Sequence, residues 1–129
     1  MKIIDGHVHI GKWSSVFLDY ETTVKDAVGV MKSAGIDSAV ALPCDTFENG
    51  KLLKEILKYK EEFRFYFACW INPDDTGLDS FISEFGTHIK VLKIHQDQHH
   101  YSILIQVLLH HFFEVQVYHF QELFEIDIE

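Results

Sequence analysis

Two histidines near the N-terminus, His7 and His9, have the residue type and the spacing to bind one metal ion. Side chains two residues apart in a β-strand point to the same face, so both imidazoles would face one cation. Neutral imidazole nitrogens suit Zn²⁺, and also Fe, Mn and Ni. A bare His-x-His is more often a pair of ordinary histidines. The pattern favours a metal site when the pair closes a strand of a parallel sheet, because ligands bind at that end.

The elements that would position this pair follow from the spacing of apolar residues. Short apolar runs predict four strands. The first begins at Ile3, and the other three cover Ser38–Leu42, Phe63–Ile71 and Ile89–Ile94. Between them lie three stretches with the i, i+3, i+4, i+7 spacing of one helix face. Strands that alternate with such helices indicate βαβ units and a parallel sheet. The predicted fold class is therefore α/β, either as a doubly wound sheet or as part of a barrel.

The ends of the helices also carry local signals. Thr23 and Asp26 have the spacing of a capping box for the first helix, and Gly35 stands where its C-terminus favours a left-handed residue. Thr76 and Asp79 could cap the third helix, with Gly86 after its end. These signals predict where the helices begin and end.

The composition narrows the class of protein. No apolar run approaches the roughly 20 residues of a membrane span, and the N-terminus lacks the apolar region of a signal peptide. We therefore expect a cytoplasmic protein without a membrane partner. The formal net charge of −9 disfavours a nucleic-acid partner. Two cysteines, Cys44 and Cys69, predict reduced thiols rather than a disulfide framework, with Cys44 a packed thiol rather than a nucleophile.

The composition changes near residue 95. The 129 residues suit one domain, but all 11 Lys and Arg lie at or before Lys93, and six of the nine His lie at or after His95. A segment without Gly, Pro, Lys or Arg lacks turn and capping chemistry. Residues 96–129 are therefore an atypical tail, either a genuine variant end or a frameshifted or truncated continuation.

Several segments in order resemble the amidohydrolase superfamily. Residues 3–11, IIDGHVHIG, resemble its opening strand. Residues 31–40, MKSAGIDSAV, resemble the first helix and second strand of the amidohydrolase-related, decarboxylase-like branch. Residues 67–75, FACWINPDD, resemble the third strand of that branch with its Asn-Pro turn. Residues 89–95, IKVLKIH, resemble the fourth strand, although Gln96 stands where that branch usually has Pro. The resemblance covers about residues 1 to 98 and makes residues 1–95 the family-like part.

The resemblance implies a partial (β/α)8 TIM barrel, about its first four to five β/α units with parallel strands, and one or two divalent metals. Family members hydrolyse amide, ester or lactone-like bonds, or decarboxylate aromatic acids. His7 and His9 match the metal-binding pair, with Zn²⁺ as the first expectation, and His119 is a weaker third candidate. No residue stands for the sixth-strand His, or for the eighth-strand Asp that binds metal and moves the proton, so the catalytic residue is unassigned.

Three further residues are candidates for supporting roles in such a site. Lys93 falls on the fourth predicted strand, where we expect a barrel-lining residue that contacts substrate or a carboxylate. His95 shares the face of Lys93 and would support the metal ligands rather than bind the metal itself. Asp5 lies two residues before His7 and could orient an imidazole. A structural hydrogen bond at the base of the strand is an equally good interpretation of Asp5.

Three functional hypotheses remain open. The first is a metal-dependent hydrolase that acts on a small-molecule amide, ester or lactone, or a related decarboxylase, through a metal-activated water. The second is an inactive truncated fragment that self-associates, because an open sheet edge exposes N–H and C=O groups to a second copy. The third is a metal-dependent phosphoesterase, which the matched segments and the net charge disfavour.

Overall fold

The structure, a computed structural model, describes residues 1–13, 20–44, 49–72 and 75–93. These residues form strands and helices in the following order. The elements are β1 (Ile4–Lys12), β2 (Glu21–Thr22), α1 (Val24–Ser33), β3 (Ser38–Pro43), α2 (Asn49–Lys58), β4 (Arg64–Trp70), α3 (Leu78–Phe85) and β5 (Ile89–Lys93). A short 3₁₀ turn, Gly86–His88, joins α3 to β5.

The strands form one sheet in the order β2-β1-β3-β4-β5. The parallel pairs are β1 with β3, β3 with β4 and β4 with β5, and one α-helix lies between the two strands of each pair along the chain. The predicted α/β class and the parallel strands are therefore confirmed. The short β2 differs, because it pairs antiparallel with the end of β1 at Gly11 and Lys12.

The three α-helices pack on one face of the sheet. The apolar residues of the helices pack against every second residue of the strands, and together they form one buried core cluster. The strand residues of this cluster are Ile10, Ala39, Ala41, Phe67, Cys69 and Ile89. Residues that alternate with them, such as Leu42 and Trp70, belong to the opposite face.

The first helix begins and ends as its sequence predicts. The Thr23 hydroxyl accepts a hydrogen bond from the backbone N–H of Asp26 at 3.1 Å, and the Asp26 carboxylate accepts one from the Thr23 N–H at 3.3 Å. This reciprocal pair is the capping box. Gly35, just after the helix, has φ +72°, a conformation that glycine adopts without strain.

For the third helix the predicted N-terminal cap was wrong, whereas Gly86 follows the last helical residue as predicted. Its N-cap is Gly77, which has no capping side chain, and the Asp75 carboxylate instead accepts a hydrogen bond from the Gly77 N–H at 2.8 Å. Gly86 is right-handed, with φ −54°, because the chain continues into the 3₁₀ turn rather than ending in a left-handed cap.

None of the helices in the described ranges has the length and the apolar character to cross a bilayer.

Candidate metal site

The two predicted metal ligands lie together around the middle of β1, and the parallel pairing of β1 with β3 ends one residue after His9, at Ile10 and Pro43. His9 is in register with Leu42 near the end of β3. The Nε2 atoms of His7 and His9 are 2.9 Å apart, and the ring centroids are 4.8 Å apart with an interplanar angle of 62°. His7 is exposed and His9 is half-buried. Both imidazoles therefore direct the same nitrogen to one point at the end of the sheet where ligands of parallel α/β proteins bind.

A backbone carbonyl orients the inner histidine. Nδ1 of His9 lies 2.9 Å from the carbonyl oxygen of Pro43, the last residue of β3. A carbonyl only accepts, so Nδ1 carries the proton and donates it. In neutral His9 the lone pair is then on Nε2, which faces His7. Such an outer hydrogen bond commonly holds metal-binding imidazoles in the ligating tautomer.

The nitrogen pair fits a divalent cation in type and nearly in spacing. Two nitrogens at Zn–N distances of 2.0–2.1 Å in a tetrahedral site are about 3.3 Å apart. The observed 2.9 Å is a hydrogen bond that His7 Nε2–H donates to His9. A cation would replace that hydrogen, and the exposed His7 ring would need to move by only a few tenths of an ångström.

The described residues supply two ligands rather than a complete set. Within residues 1–13, 20–44, 49–72 and 75–93, no group of three or more His, Cys, Asp or Glu side chains converges. Zinc in proteins takes three or four protein ligands. The predicted residues His95 and His119 lie outside the described part of the chain.

Both tryptophans of the chain flank His9. The ring centroids of Trp13 and Trp70 lie 4.8 Å and 6.1 Å from that of His9. Trp70 is 2% exposed and Trp13 is half-buried. His9 between these rings is half-buried, and electrostatic interactions are stronger where water is excluded. The sequence indicated the place of Trp70 in part, because Trp70 is the residue before the last in the predicted strand Phe63–Ile71 and so lies at the same end of the sheet as His9.

Asn49, which no sequence pattern indicated, holds the strand that carries Trp70. Its side-chain Oδ1 accepts a hydrogen bond from the Trp70 N–H at 2.8 Å, and its Nδ2 donates to the Trp70 carbonyl at 2.9 Å. The pairing of β3 with β4 extends only to Ala41 and Phe67. The buried Asn49 amide therefore takes the place of a neighbouring strand.

Asp5 acts on the backbone rather than on an imidazole. Its carboxylate accepts a hydrogen bond from the His7 N–H at 3.0 Å. A register shift between Asp5 and Val8 interrupts the regular alternation of β1. Asp5 is in register with Ala39 of the helix-facing core, so the bulge removes it from the face that His9 shares with Leu42.

Lys93 lies on the same face of the sheet as Trp70. It is half-buried and in register with Trp70. A strand spacing of about 4.8 Å puts β5 roughly 14 Å from β1 along the sheet. In the described part of the chain Lys93 makes no hydrogen bond or ion pair with His7 or His9.

Both cysteines are buried thiols, and the burial of Cys44 agrees with the packed thiol that the sequence predicts. Cys44 follows β3 beside Gly11, where a Cβ atom would lie 3.7 Å from the Cys44 sulfur. Burial, with a contribution from Asp75, raises the pKa of the Cys69 thiol from 9.0 to about 12. The neutral thiol is a poor nucleophile, so Cys69 is a packing residue.

Comparison of the chain with protein-family models, with curated proteins and with solved structures found no match.

Proposed function

We propose that the chain contains the first β/α units of an amidohydrolase-type barrel and acts as a metal-dependent hydrolase on a small-molecule amide, ester or lactone. The observation that carries this proposal is the convergence of His7 Nε2 and His9 Nε2, 2.9 Å apart, close to the carboxyl end of the parallel pairing of β1 with β3. In the amidohydrolase superfamily a His-x-His pair at this position binds the metal, which is what the resemblance of residues 3–11 implies.

The direction in which the sheet grows supports a barrel rather than a doubly wound sheet. The parallel strands follow in the order β1-β3-β4-β5, so each new strand adds on the same side of the previous one. The helices all pack on one face. A doubly wound sheet reverses its direction and has helices on both faces, whereas a (β/α)8 barrel continues in one direction beneath an outer ring of helices.

Each residue of the site would have a distinct role. His7 and His9 would hold the cation through Nε2, and the Pro43 carbonyl would keep the His9 proton on Nδ1. A divalent metal, when bound, would polarise a carbonyl group and lower the pKa of water. The rings of Trp13 and Trp70 would restrict water on the inner side of His9. Asp5 would hold the backbone at His7.

The test is the metal content of the purified, tag-free chain. We expect about one Zn²⁺ per chain in the wild type and none after the double substitution His7→Ala and His9→Ala. The matched control is His88→Ala, because His88 is an exposed histidine in the 3₁₀ turn before β5, at the opposite end of the sheet. This control should keep the metal. Equal metal content in the wild type and the double variant would contradict the proposal.

Tryptophan fluorescence measures metal binding directly at the histidine pair. Co²⁺ at His9 should quench the emission, since both indole rings lie within 6.1 Å of the His9 ring. The quenching should saturate in the wild type and disappear in the double variant. A screen of amides, esters and lactones beside a phosphodiester then tests the reaction. Hydrolysis of the phosphodiester alone would replace the amidohydrolase assignment with a phosphoesterase.

A further inference from the structure

A cleft lies at the opposite end of the sheet from the histidines. It has a volume of about 310 Å³ and opens between the C-terminal half of α2 and the N-terminal ends of β4 and β5. Its floor belongs to the apolar core. The floor residues Leu53, Ile56, Phe63 and Phe67 are between 2% and 6% exposed. The cleft is therefore an apolar surface of the size of a small-molecule site.

The rim of this cleft is basic. Lys60, Arg64, His88 and Lys90 line it, and none of the lining residues in the described part of the chain is acidic. Arg64 is the single arginine of the chain. Long basic side chains can lay their methylenes on an apolar surface and keep their charges at its edge. The rim thus forms a local positive field in a chain whose formal net charge is −9.

The cations at the rim lack strong acidic partners. Across the four described ranges, Arg64 and Lys90 take part in no ion pair, and Lys60 meets only the exposed Glu61, at 3.9 Å. The chain has 20 acidic residues for 11 Lys and Arg, so most cations are expected to lie near a carboxylate, and Arg64 is an exception. The planar guanidinium presents paired donors that match a carboxylate.

We propose that this cleft binds a small amphipathic carboxylate, with its apolar chain or ring on the floor and its carboxylate at Arg64. A monoanion matches the single guanidinium, and the buried floor favours a molecule whose body is apolar. Six residue steps of β4 separate Arg64 from Trp70, a length of about 20 Å. The cleft is therefore separate from the candidate metal site, and neither proposal depends on the other.

Isothermal titration of the full chain with octanoate tests the proposal. Two probes separate the parts of the ligand, because 1-octanol keeps the apolar chain without the charge and acetate keeps the carboxylate without the chain. We expect saturable binding of octanoate with one site. Binding of 1-octanol should be at least about tenfold weaker, since a hydrogen bond between charged groups contributes more than a factor of ten. Binding of acetate should also be at least about tenfold weaker, because acetate has no apolar chain to bury on the floor. Equal affinity for 1-octanol and octanoate would overturn the role of the charge.

Variants locate the site. Arg64→Gln should weaken octanoate binding about tenfold or more. Leu57→Glu should abolish it, because Leu57 lines the cleft and is 38% exposed, so a carboxylate fits there without unfolding the core. The matched control is Lys25→Gln, which removes one exposed cation from α1, outside the cleft. Lys25→Gln and the His7→Ala/His9→Ala variant should bind octanoate as the wild type does. No saturable binding by the wild type, or unchanged binding by Arg64→Gln, would refute the proposal.

Discussion

Replacing Asn49 with alanine should be among the most damaging single changes to a polar side chain in this protein. Asn49 is 5% exposed, and its amide makes two hydrogen bonds to the backbone of Trp70, at 2.8 and 2.9 Å. Alanine removes both and leaves a small cavity beside the N–H and C=O of Trp70. These groups lie where β3 no longer pairs with β4, so no strand can replace the amide.

The size of the effect follows from the two hydrogen bonds. A buried backbone group that loses its partner costs about 1–3 kcal/mol. For one donor and one acceptor we expect a loss of about 3 kcal/mol in the free energy of unfolding, allowing for some relaxation or entry of water. With a urea m-value of about 1.5 kcal/mol/M, the unfolding midpoint should fall by about 2 M.

Urea denaturation followed by circular dichroism measures this loss, and two further variants sharpen the test. Ser33→Ala removes one exposed hydrogen bond, from the Ser33 hydroxyl to the Gly29 carbonyl at 2.8 Å, and should change stability by less than about 0.5 kcal/mol. Asn49→Asp keeps the acceptor for the Trp70 N–H but sets a carboxylate against the Trp70 carbonyl. Protonation restores a donor, so Asn49→Asp should gain stability relative to the wild type as the pH falls.

A loss below about 1 kcal/mol for Asn49→Ala would refute this reasoning. It would mean that water or a shift of the backbone satisfies Trp70 as well as the amide does.

Two further predictions concern α1 and Cys69. Thr23→Ala should lower the free energy of unfolding in urea by about 1 kcal/mol, because α1 loses its N-terminal cap. The Thr23 side chain, followed by its backbone N–H, lowers the pKa of Asp26 in the folded state. The stability that this shift contributes is present above the unfolded pKa of Asp26 and is lost as the pH falls through the folded pKa. The free energy of unfolding of Thr23→Ala should therefore fall less steeply at acid pH than that of the wild type. An equal slope in the two proteins would contradict this. Cys69, whose pKa burial raises to about 12, should resist iodoacetamide at pH 8 in native buffer and react fully in urea; rapid native labelling of Cys69 by mass spectrometry would show that the thiol is accessible.

The local pattern of the sequence determined the elements and the histidine pair. Apolar spacing predicted α1, α2 and α3 and the four parallel strands, because one buried face leaves a period in the chain. The capping box at Thr23 was equally predictable, since its two residues are three positions apart and need no distant partner. His7 and His9 were predictable as a pair for the same reason, because a strand brings residues two apart to one face.

The tertiary structure decided what surrounds that pair. The Pro43 carbonyl holds His9 across 34 residues of sequence, and Asn49 holds Trp70 across 21. The bulge in β1 moved Asp5 out of the register that simple alternation predicts, because strand pairing rather than the sequence of β1 decides where a residue is inserted. The basic cleft likewise joins the end of α2 to the starts of β4 and β5. Local periodicity is a property of neighbouring residues, whereas these contacts depend on which strands and helices come together.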